Sequence, residues 1–149
     1  MNTEHDSVSL REITRDTVRP VCRIEVAPEQ RHFVASTAVS IAEAHFSPEA
    51  WFRAIYSGEQ PVGFVMLSVL PEKPEYAVWR FLIGSEHQAK GYGSAAMRLV
   101  IDHVRSLGAA ELLLSYVPGE GEPRAFYEKL GFEPTGAVED GEIVMALRL

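Results

Sequence analysis

The sequence has little cysteine, and its apolar runs are short. Cys22 is the single cysteine, so neither an internal disulfide nor a cysteine-based metal site can form. The apolar runs, such as Val62–Leu70, end well short of the roughly 20 residues that a membrane-spanning helix needs. The start, Met1–Ser7, is polar and acidic, which is not typical of a signal peptide. We therefore expect a cytoplasmic protein with no membrane partner.

Positive charge is also scarce. Lys73, Lys90 and Lys129 are the only lysines, and 14 basic residues against 21 acidic ones give a formal charge of -7. Binding to a polyanion rests on clustered Lys and Arg, so this balance argues against a nucleic-acid partner. An acidic surface attracts cationic small molecules, and it also keeps a protein soluble. The length of 149 residues and an apolar share of 46% predict one globular domain over residues 1–149.

The first third of the chain predicts a strand followed by a broken helical region. Ser7–Ile13 alternates polar and apolar residues, as a strand does. Proline inside a helix costs about 3 kcal/mol, so a helix either begins near Thr17, with Pro20 in its first turn, or is kinked. Pro28 begins a second short helix, and Thr37–His45 predicts a third. The apolar face of this third helix is predicted to hold three side chains: Val39, Ile41 and Ala42.

The remaining elements predict a sheet with helices on both faces. Three successive strand signals form an antiparallel meander: Trp51–Ser57, Val62–Leu70 and Tyr76–Ile83. A helical period then runs from Gly93 to a stop at Gly108. A strand, a short helix and a hairpin follow: Leu112–Val117, Arg124–Leu130, and Phe132–Val138 with Glu142–Leu147. The order predicts an α+β fold with a mixed sheet of about seven strands.

Two glycines one residue apart open the long helix. Gly91 and Gly93 let the backbone approach a ligand closely, and the free N–H groups of a helix start suit a phosphate. The turn therefore predicts a ligand with a polyphosphate group, although glycines that cap a helix without a ligand would look the same. A dinucleotide would fit the loose glycine pattern. Its fold, however, places the glycines directly after a strand that opens a βαβ unit, whereas here an antiparallel meander comes first.

Two separated motifs resemble the GNAT family of N-acetyltransferases. Gln88-x-x-Gly91-x-Gly93 is similar to that family's signature, Gln or Arg-x-x-Gly-x-Gly or Ala. Phe126-Tyr127-Glu128-Lys129-Leu130-Gly131-Phe132 resembles its late helix and the start of the following strand. The order of the predicted elements agrees from about Ser7 to Leu147. The resemblance implies a mixed, mainly antiparallel seven-stranded sheet whose strands splay apart near Ile83 and Leu114.

The resemblance implies acetyl-coenzyme A as co-substrate, bound along the splayed strands and the glycine turn. The turn backbone would hold the pyrophosphate through seven residues: Gln88, Ala89, Lys90, Gly91, Tyr92, Gly93 and Ser94. Three residues of the preceding strand would pair with the pantetheine like an added strand: Phe81, Leu82 and Ile83. A backbone N–H near Leu82 would stabilise charge on the thioester oxygen. Where many family members carry an asparagine that contacts the cofactor, this chain has Glu120.

Tyr127 would act as the general acid. The resemblance places its phenol at the thioester sulfur, where it would protonate the departing thiolate, a transfer typically worth about a hundredfold to ten-thousandfold. Without the motif, Tyr127 would be interpreted as a core aromatic beside Phe126 and Phe132.

The acceptor is expected to be a primary amine. The segment Glu25–Ala35 resembles the early helical region of bacterial members described as diamine or spermidine acetyltransferases, in which such helices roof the acceptor cleft. Glu25 and Glu29 would then pair with a substrate ammonium, which favours a polyamine or diamine. Arg80 would equally bind a carboxylate, so an amino acid or a protein amine stays open. The resemblance is also compatible with a homodimer.

Other features leave the base and the cleft walls open. Four residues are candidate bases through water, although each is more typical of a solvated surface: Glu25, Glu29, Glu75 and His45. Three aromatic residues are candidate walls: Trp51, Trp79 and Tyr116. His103, on the apolar helix face, is interpreted as structural, and no metal-ligand spacing is present. Two alternatives to an enzyme remain: a non-catalytic acyl-CoA sensor and a nucleotide binder.

Overall fold

A computed structural model describes residues 7–70, 72–73 and 75–149. Seven strands form one sheet in the order β1-β2-β3-β4-β5-β7-β6. The strands are β1 (Val8–Arg11), β2 (Ala50–Ser57), β3 (Gln60–Leu70), β4 (Glu75–Ile83), β5 (Glu111–Tyr116), β6 (Glu133–Glu139) and β7 (Glu142–Arg148). Every neighbouring pair is antiparallel except β4 with β5, which are parallel. The predicted mixed, mainly antiparallel α+β sheet is confirmed.

Helices cover both faces of this sheet, and each face has its own buried cluster. The helices are α1 (Val18–Cys22), α2 (Thr37–His45), α3 (Tyr92–Ser106) and α4 (Arg124–Lys129), with short 3₁₀ turns at Pro28–Gln30 and Ser85–His87. α3 buries an apolar stripe that includes Met97 and Val100 in one cluster. On the opposite face, Val21 of α1 packs with Phe64 and Met66 of β3. Within the described residues, no helix is both long and apolar enough to cross a membrane.

The start of α1 agrees with the sequence prediction, whereas the buried face of α2 differs from it. α1 begins after Thr17 with Pro20 in its first turn, as the first of the two predicted alternatives required. The predicted apolar face of α2 is wrong for two of its three residues, because Ile41 packs against the buried cluster but Val39 is 51% exposed and Ala42 is also exposed. The buried face instead contains Thr37 and Ser40. The Ser40 hydroxyl donates to the Ser36 carbonyl at 2.9 Å, so this polar side chain can be buried with its hydrogen bond satisfied.

Trp51 lies away from the place predicted for a cleft wall. Its ring stacks on His103 of α3 with 4.3 Å between centroids, and the Arg53 guanidinium lies 4.4 Å from the same ring. Burial, and next the charge of Arg53, hold the pKa of His103 below its usual value. His103 therefore has the structural position that the sequence predicted, while Trp51 belongs to the core.

Strands β4 and β5 separate after a short paired stretch. Only Ala77 with Leu113 and Val78 with Leu114 are paired in the described residues. A β-bulge in the neighbouring pairing leaves Trp79 as the extra residue of β4, and a bulge bends its strand and increases the local twist. The splay at Leu114 is where the family resemblance implied it. On β4 it begins after Val78, well before Ile83.

Glycine is required where β3 passes the end of β4. Gly63 lies opposite Ile83 in the sheet, and a Cβ built on Gly63 would overlap the carbonyl oxygen of Leu82. A neighbouring backbone atom cannot rotate away as a side chain can. The absence of a side chain at Gly63 therefore fixes how the second half of β4 lies against β3.

Candidate active site

A cleft of about 710 Å³ lies where β4 and β5 separate. One end of α3, part of α4 and the segment after the first 3₁₀ turn complete its walls. Trp79 and Tyr116, two of the predicted wall residues, line it. The divergence of the two strands, rather than a gap between separate domains, creates the space.

In the described residues, the second half of β4 directs backbone groups to this cleft that no neighbouring strand pairs with. The Gly84 N–H donates to the Val62 carbonyl at 2.9 Å. Because alternate residues of an antiparallel pair face their partner strand, Leu82 also directs its backbone groups to β3. Phe81 and Ile83 direct theirs the other way, toward the cleft, where β5 does not pair with them in the described residues. A free strand edge of this kind can hydrogen-bond an extended ligand.

The turn before α3 is held in place by a glutamine. The Gln88 side chain donates to the Ile83 carbonyl at 2.9 Å and to the Gln30 side-chain oxygen at 3.0 Å. Gly91 precedes the helix with φ of 85°, a left-handed conformation that favours glycine, and no side chain of the described residues caps the helix there. The first N–H groups of α3 are thus available to an anion.

Gly93, in the first turn of α3, brings that turn close to α4. A Cβ built at Gly93 would lie 3.2 Å from Cζ of Phe126. The Phe126 ring is itself stacked on Phe81, with 5.9 Å between centroids. Glycine thus allows the helix start, the free edge of β4 and α4 to converge on one region of the cleft.

Tyr127 of α4 lines the same cleft and is also part of the core. Its ring centroid is 5.4 Å from that of Phe126 and 5.9 Å from that of Phe132, so the core interpretation also describes its packing. The residue is 8% exposed, and burial raises the pKa of Tyr127 to about 12. A phenol with that pKa keeps its proton throughout the neutral range.

The residues predicted from the sequence are divided between the cleft and the surface. Nine of the ten predicted cofactor contacts line the cleft: Phe81, Leu82, Ile83, Gln88, Ala89, Gly91, Tyr92, Gly93 and Ser94. Lys90 does not, and neither does Glu120, which is exposed.

The residues predicted to bind the acceptor are either outside the cleft or already paired with another side chain. Glu25 and Glu29 are exposed and do not line the cleft, and Glu25 lies 3.7 Å from Arg31. Arg80 does line the cleft, but its guanidinium pairs with Glu43 of α2 at 2.8 Å. The remaining candidate bases, Glu75 and His45, are also outside the lining.

One acidic residue of the cleft was not identified from the sequence. Glu142, at the start of β7, is the only aspartate or glutamate that lines the cleft among the described residues. The Ser115 hydroxyl of β5 donates to its Oε1 at 3.0 Å. Only the pairing of β5 with β7 brings these two together, and the sequence carries no local signal for it.

The cleft fits the group that the sequence resemblance implied. Acetyl-coenzyme A has an extended pantetheine arm and a pyrophosphate, which match a free strand edge and an uncapped helix start. The absence of a side chain at Gly93 lets the start of α3 lie against Phe126, 3.2 Å from where a Cβ would stand. Within the described residues, no group of three or more His, Cys, Asp or Glu is placed to hold a metal ion.

Comparison with known proteins gives one family. The sequence model of the acetyltransferase (GNAT) family matches residues 9–132. The spermine/spermidine N(1)-acetyltransferase of Bacillus subtilis (strain 168) is 27% identical over 155 aligned residues, which cover 96% of this chain and 99% of that protein.

Solved structures agree in fold. An acetyltransferase from Thermus thermophilus matches with a TM-score of 0.78 at 17% identity, over 96% of this chain and 97% of that one. The PaiA N-acetyltransferase from Thermoplasma acidophilum, solved in complex with coenzyme A, matches with a TM-score of 0.72 at 15% identity, over 96% of this chain and 99% of that one. At these identities the likeness shows the fold alone.

Proposed function

Since the chain belongs to the acetyltransferase (GNAT) family and is therefore an N-acetyltransferase that uses acetyl-coenzyme A, we propose that it acetylates a polyamine or diamine with Tyr127 as general acid. One observation carries the catalytic part of this proposal. The free edge of β4, the uncapped start of α3 and the buried phenol of Tyr127 line one cleft. A thioester bound along that edge would bring its sulfur to the α4 side of the splay.

The proposed cofactor contacts come from backbone. The N–H groups of the turn Gln88–Ser94 hold the pyrophosphate. Phe81 and Ile83 pair with the pantetheine arm, and Leu82 supports them by pairing with β3. The side chain of Gln88 acts indirectly, because its hydrogen bond to Ile83 holds the turn against the strand.

The proposed reaction requires one proton to be given and one to be removed. Acetyl-coenzyme A, when bound, supplies an activated acyl group. The neutral amine forms a C–N bond to the carbonyl carbon while the C–S bond breaks, and Tyr127 donates its phenolic proton to the departing sulfur. The phenol is then reprotonated from water, and the surplus proton of the amine is released to solvent. A backbone N–H of the free β4 edge, at Phe81 or Ile83, stabilises the negative charge on the carbonyl oxygen.

Two observations support an acceptor with several positive charges. A relative that aligns with nearly the whole chain is named for spermine and spermidine. The protein also carries a formal charge of -7, which attracts polycations over long range. Arg80 was predicted as a carboxylate anchor. Its ion pair with Glu43 at 2.8 Å offsets the positive charge that would attract a carboxylate, which weighs against an amino-acid acceptor.

The test is the rate of free thiol release from acetyl-coenzyme A with a panel of amines. We expect release with putrescine and spermidine, and much slower release with an amino acid or a lysine peptide. Release only with the last two would replace the proposed acceptor class. No release with any amine, together with coenzyme A binding measured by calorimetry, would favour the sensor alternative, which the replacement of the family asparagine by Glu120 leaves open.

A further inference from the structure

The two faces of β5 have different surroundings. Leu114 and Tyr116 are buried in the cluster that includes α3. Ser115 lies between them in the strand, so its side chain projects to the opposite face. Because Ser115 donates to Glu142 at 3.0 Å, the Glu142 carboxylate lies on that opposite face too. It is therefore separated by the sheet from the helix start where the pyrophosphate is proposed to bind.

In the part of the chain that the structure describes, no basic side chain forms an ion pair with Glu142. Its cross-strand partner is Glu139 of β6, and like charges directly opposite each other destabilise a strand pair. The carboxylate thus lines the cleft, and its repulsion from Glu139 lowers the stability of the β6–β7 hairpin.

We propose that Glu142, oriented by Ser115, binds the second ammonium group of the acceptor and so selects diamines and polyamines over monoamines. This inference rests on the proposed function. Ser115 occupies one position on the carboxylate, and a carboxylate can accept several further hydrogen bonds. The reacting amine and the ammonium that Glu142 binds belong to the two ends of one aliphatic chain, and aromatic residues such as Trp79 and Phe33 line the cleft around it.

The assignment also explains a like-charge pair that has no benefit for folding. Replacing Glu142 by glutamine would keep an oxygen for the Ser115 hydroxyl and remove the repulsion with Glu139. The variant is therefore expected to melt at the same temperature as the wild type or slightly higher. A residue that served only to stabilise the hairpin would show the opposite behaviour.

The experiment compares Glu142→Gln with Glu139→Gln, which makes the same chemical change on the same hairpin at an exposed position outside the cleft. Steady-state constants are measured for putrescine and for butylamine, which has the same carbon chain and one amino group fewer. We expect Glu142→Gln to raise the KM for putrescine about tenfold or more, the size of effect typical of a hydrogen bond to a charged group. The KM for butylamine and for acetyl-coenzyme A, and the kcat, should change less than about twofold. Glu139→Gln should leave all constants unchanged.

Each contrary result has a distinct meaning. A putrescine KM within about twofold of wild type in Glu142→Gln would overturn the inference and leave the proposed function standing. The same would follow from a loss of kcat at constant KM, or from an equal rise in KM in Glu139→Gln. If the wild type acetylates neither putrescine nor spermidine, the proposed function fails and the inference with it.

Discussion

The two sides of the cleft are built from different kinds of groups. On the proposed cofactor side, defined as the free edge of β4, the turn Gln88–Ser94 and Tyr127, most of the proposed contacts come from backbone N–H and C=O groups. On the acceptor side, defined as Arg80, Ser115 and Glu142, they are side chains from three strands. The cofactor side therefore depends on backbone geometry, whereas the acceptor side depends on single replaceable residues. We expect substitutions on the two sides to affect different kinetic constants.

The largest effect is expected from Tyr127→Phe. Loss of the phenolic proton donor should lower kcat by about a hundredfold to ten-thousandfold while the KM for acetyl-coenzyme A stays near wild type. Because the pKa of Tyr127 is raised to about 12, its ionisation should not shape the wild-type pH profile below about pH 10. Tyr76→Phe is the matched control, since that tyrosine is buried with its hydroxyl 3.4 Å from the Leu107 carbonyl and does not line the cleft. Equal loss of turnover and of acetyl-coenzyme A binding would contradict the assigned role.

The next largest effect is expected from Gly93→Ala, which should change the KM for acetyl-coenzyme A and not the KM for the amine. The new methyl group would meet Phe126 at about 3.2 Å, and strain of about 1–3 kcal/mol is typical of such overpacking. We expect the KM for acetyl-coenzyme A to rise about tenfold and the KM for the amine to stay constant, as initial rates with each substrate varied would show. A rise in the amine KM alone would mean that the helix start serves the acceptor instead.

On the acceptor side, Glu43→Gln should have a smaller effect, and it should change the KM for the amine instead of the KM for acetyl-coenzyme A. It removes the partner of Arg80, whose side chain is 19% exposed, and leaves a positive charge at the cleft that repels a cationic amine. The KM for putrescine should rise a few-fold. The free energy of unfolding should fall by less than about 1 kcal/mol, because solvent screens the partly exposed pair. Glu59→Gln breaks an ion pair of the same 2.8 Å length with Arg11, outside the cleft, and should leave kinetics unchanged.

The smallest effect is expected at His103, outside both sides. Its pKa is lowered by burial, so as the pH falls through about 6.5 the unfolded chain takes up the proton first and stability decreases. His103→Phe keeps a ring against Trp51 and removes this titration. Urea unfolding between about pH 5 and pH 7.5 should show a flatter dependence of stability on pH, with activity unchanged. A slope equal to that of the wild type would show that other groups control it.

The same contrast explains what could be predicted from the sequence. The fold and the residues that line the proposed cofactor side follow from local patterns, since strand periodicity, glycine spacing and the Gln88 motif each lie within one short segment. Gln88 and Gly93 have few alternative positions, because each contacts a residue that a strand or helix holds in place. Gln88 bonds to Ile83 of β4, and Gly93 lies against Phe126 of α4.

The acceptor side could not be predicted in this way. Glu25 and Glu29 were favoured because they are acidic and because the resemblance placed them in a helical roof, but both are exposed and neither lines the cleft. Glu142 reaches it only through the register of β5 with β7, which pairs Ser115 with Val144. The apolar face of α2 was predicted incorrectly at two positions for a related reason, because Ser40 is buried with its hydroxyl hydrogen-bonded to the Ser36 carbonyl. The single-domain boundary, the cytoplasmic location and the homodimer remain predictions.

The early separation of β4 from β5 has a consequence for self-association. An unpaired strand edge is a template on which another chain can add a strand, and proteins commonly cover or shorten such edges. Here the edge lies inside the sheet, in a walled space of about 710 Å³, where a single extended molecule fits more readily than a strand that is itself part of a sheet. Bound along β4 as proposed, the co-substrate would be a removable cover for this edge, and protein saturated with coenzyme A should stay dispersed longer on mild heating than protein without it.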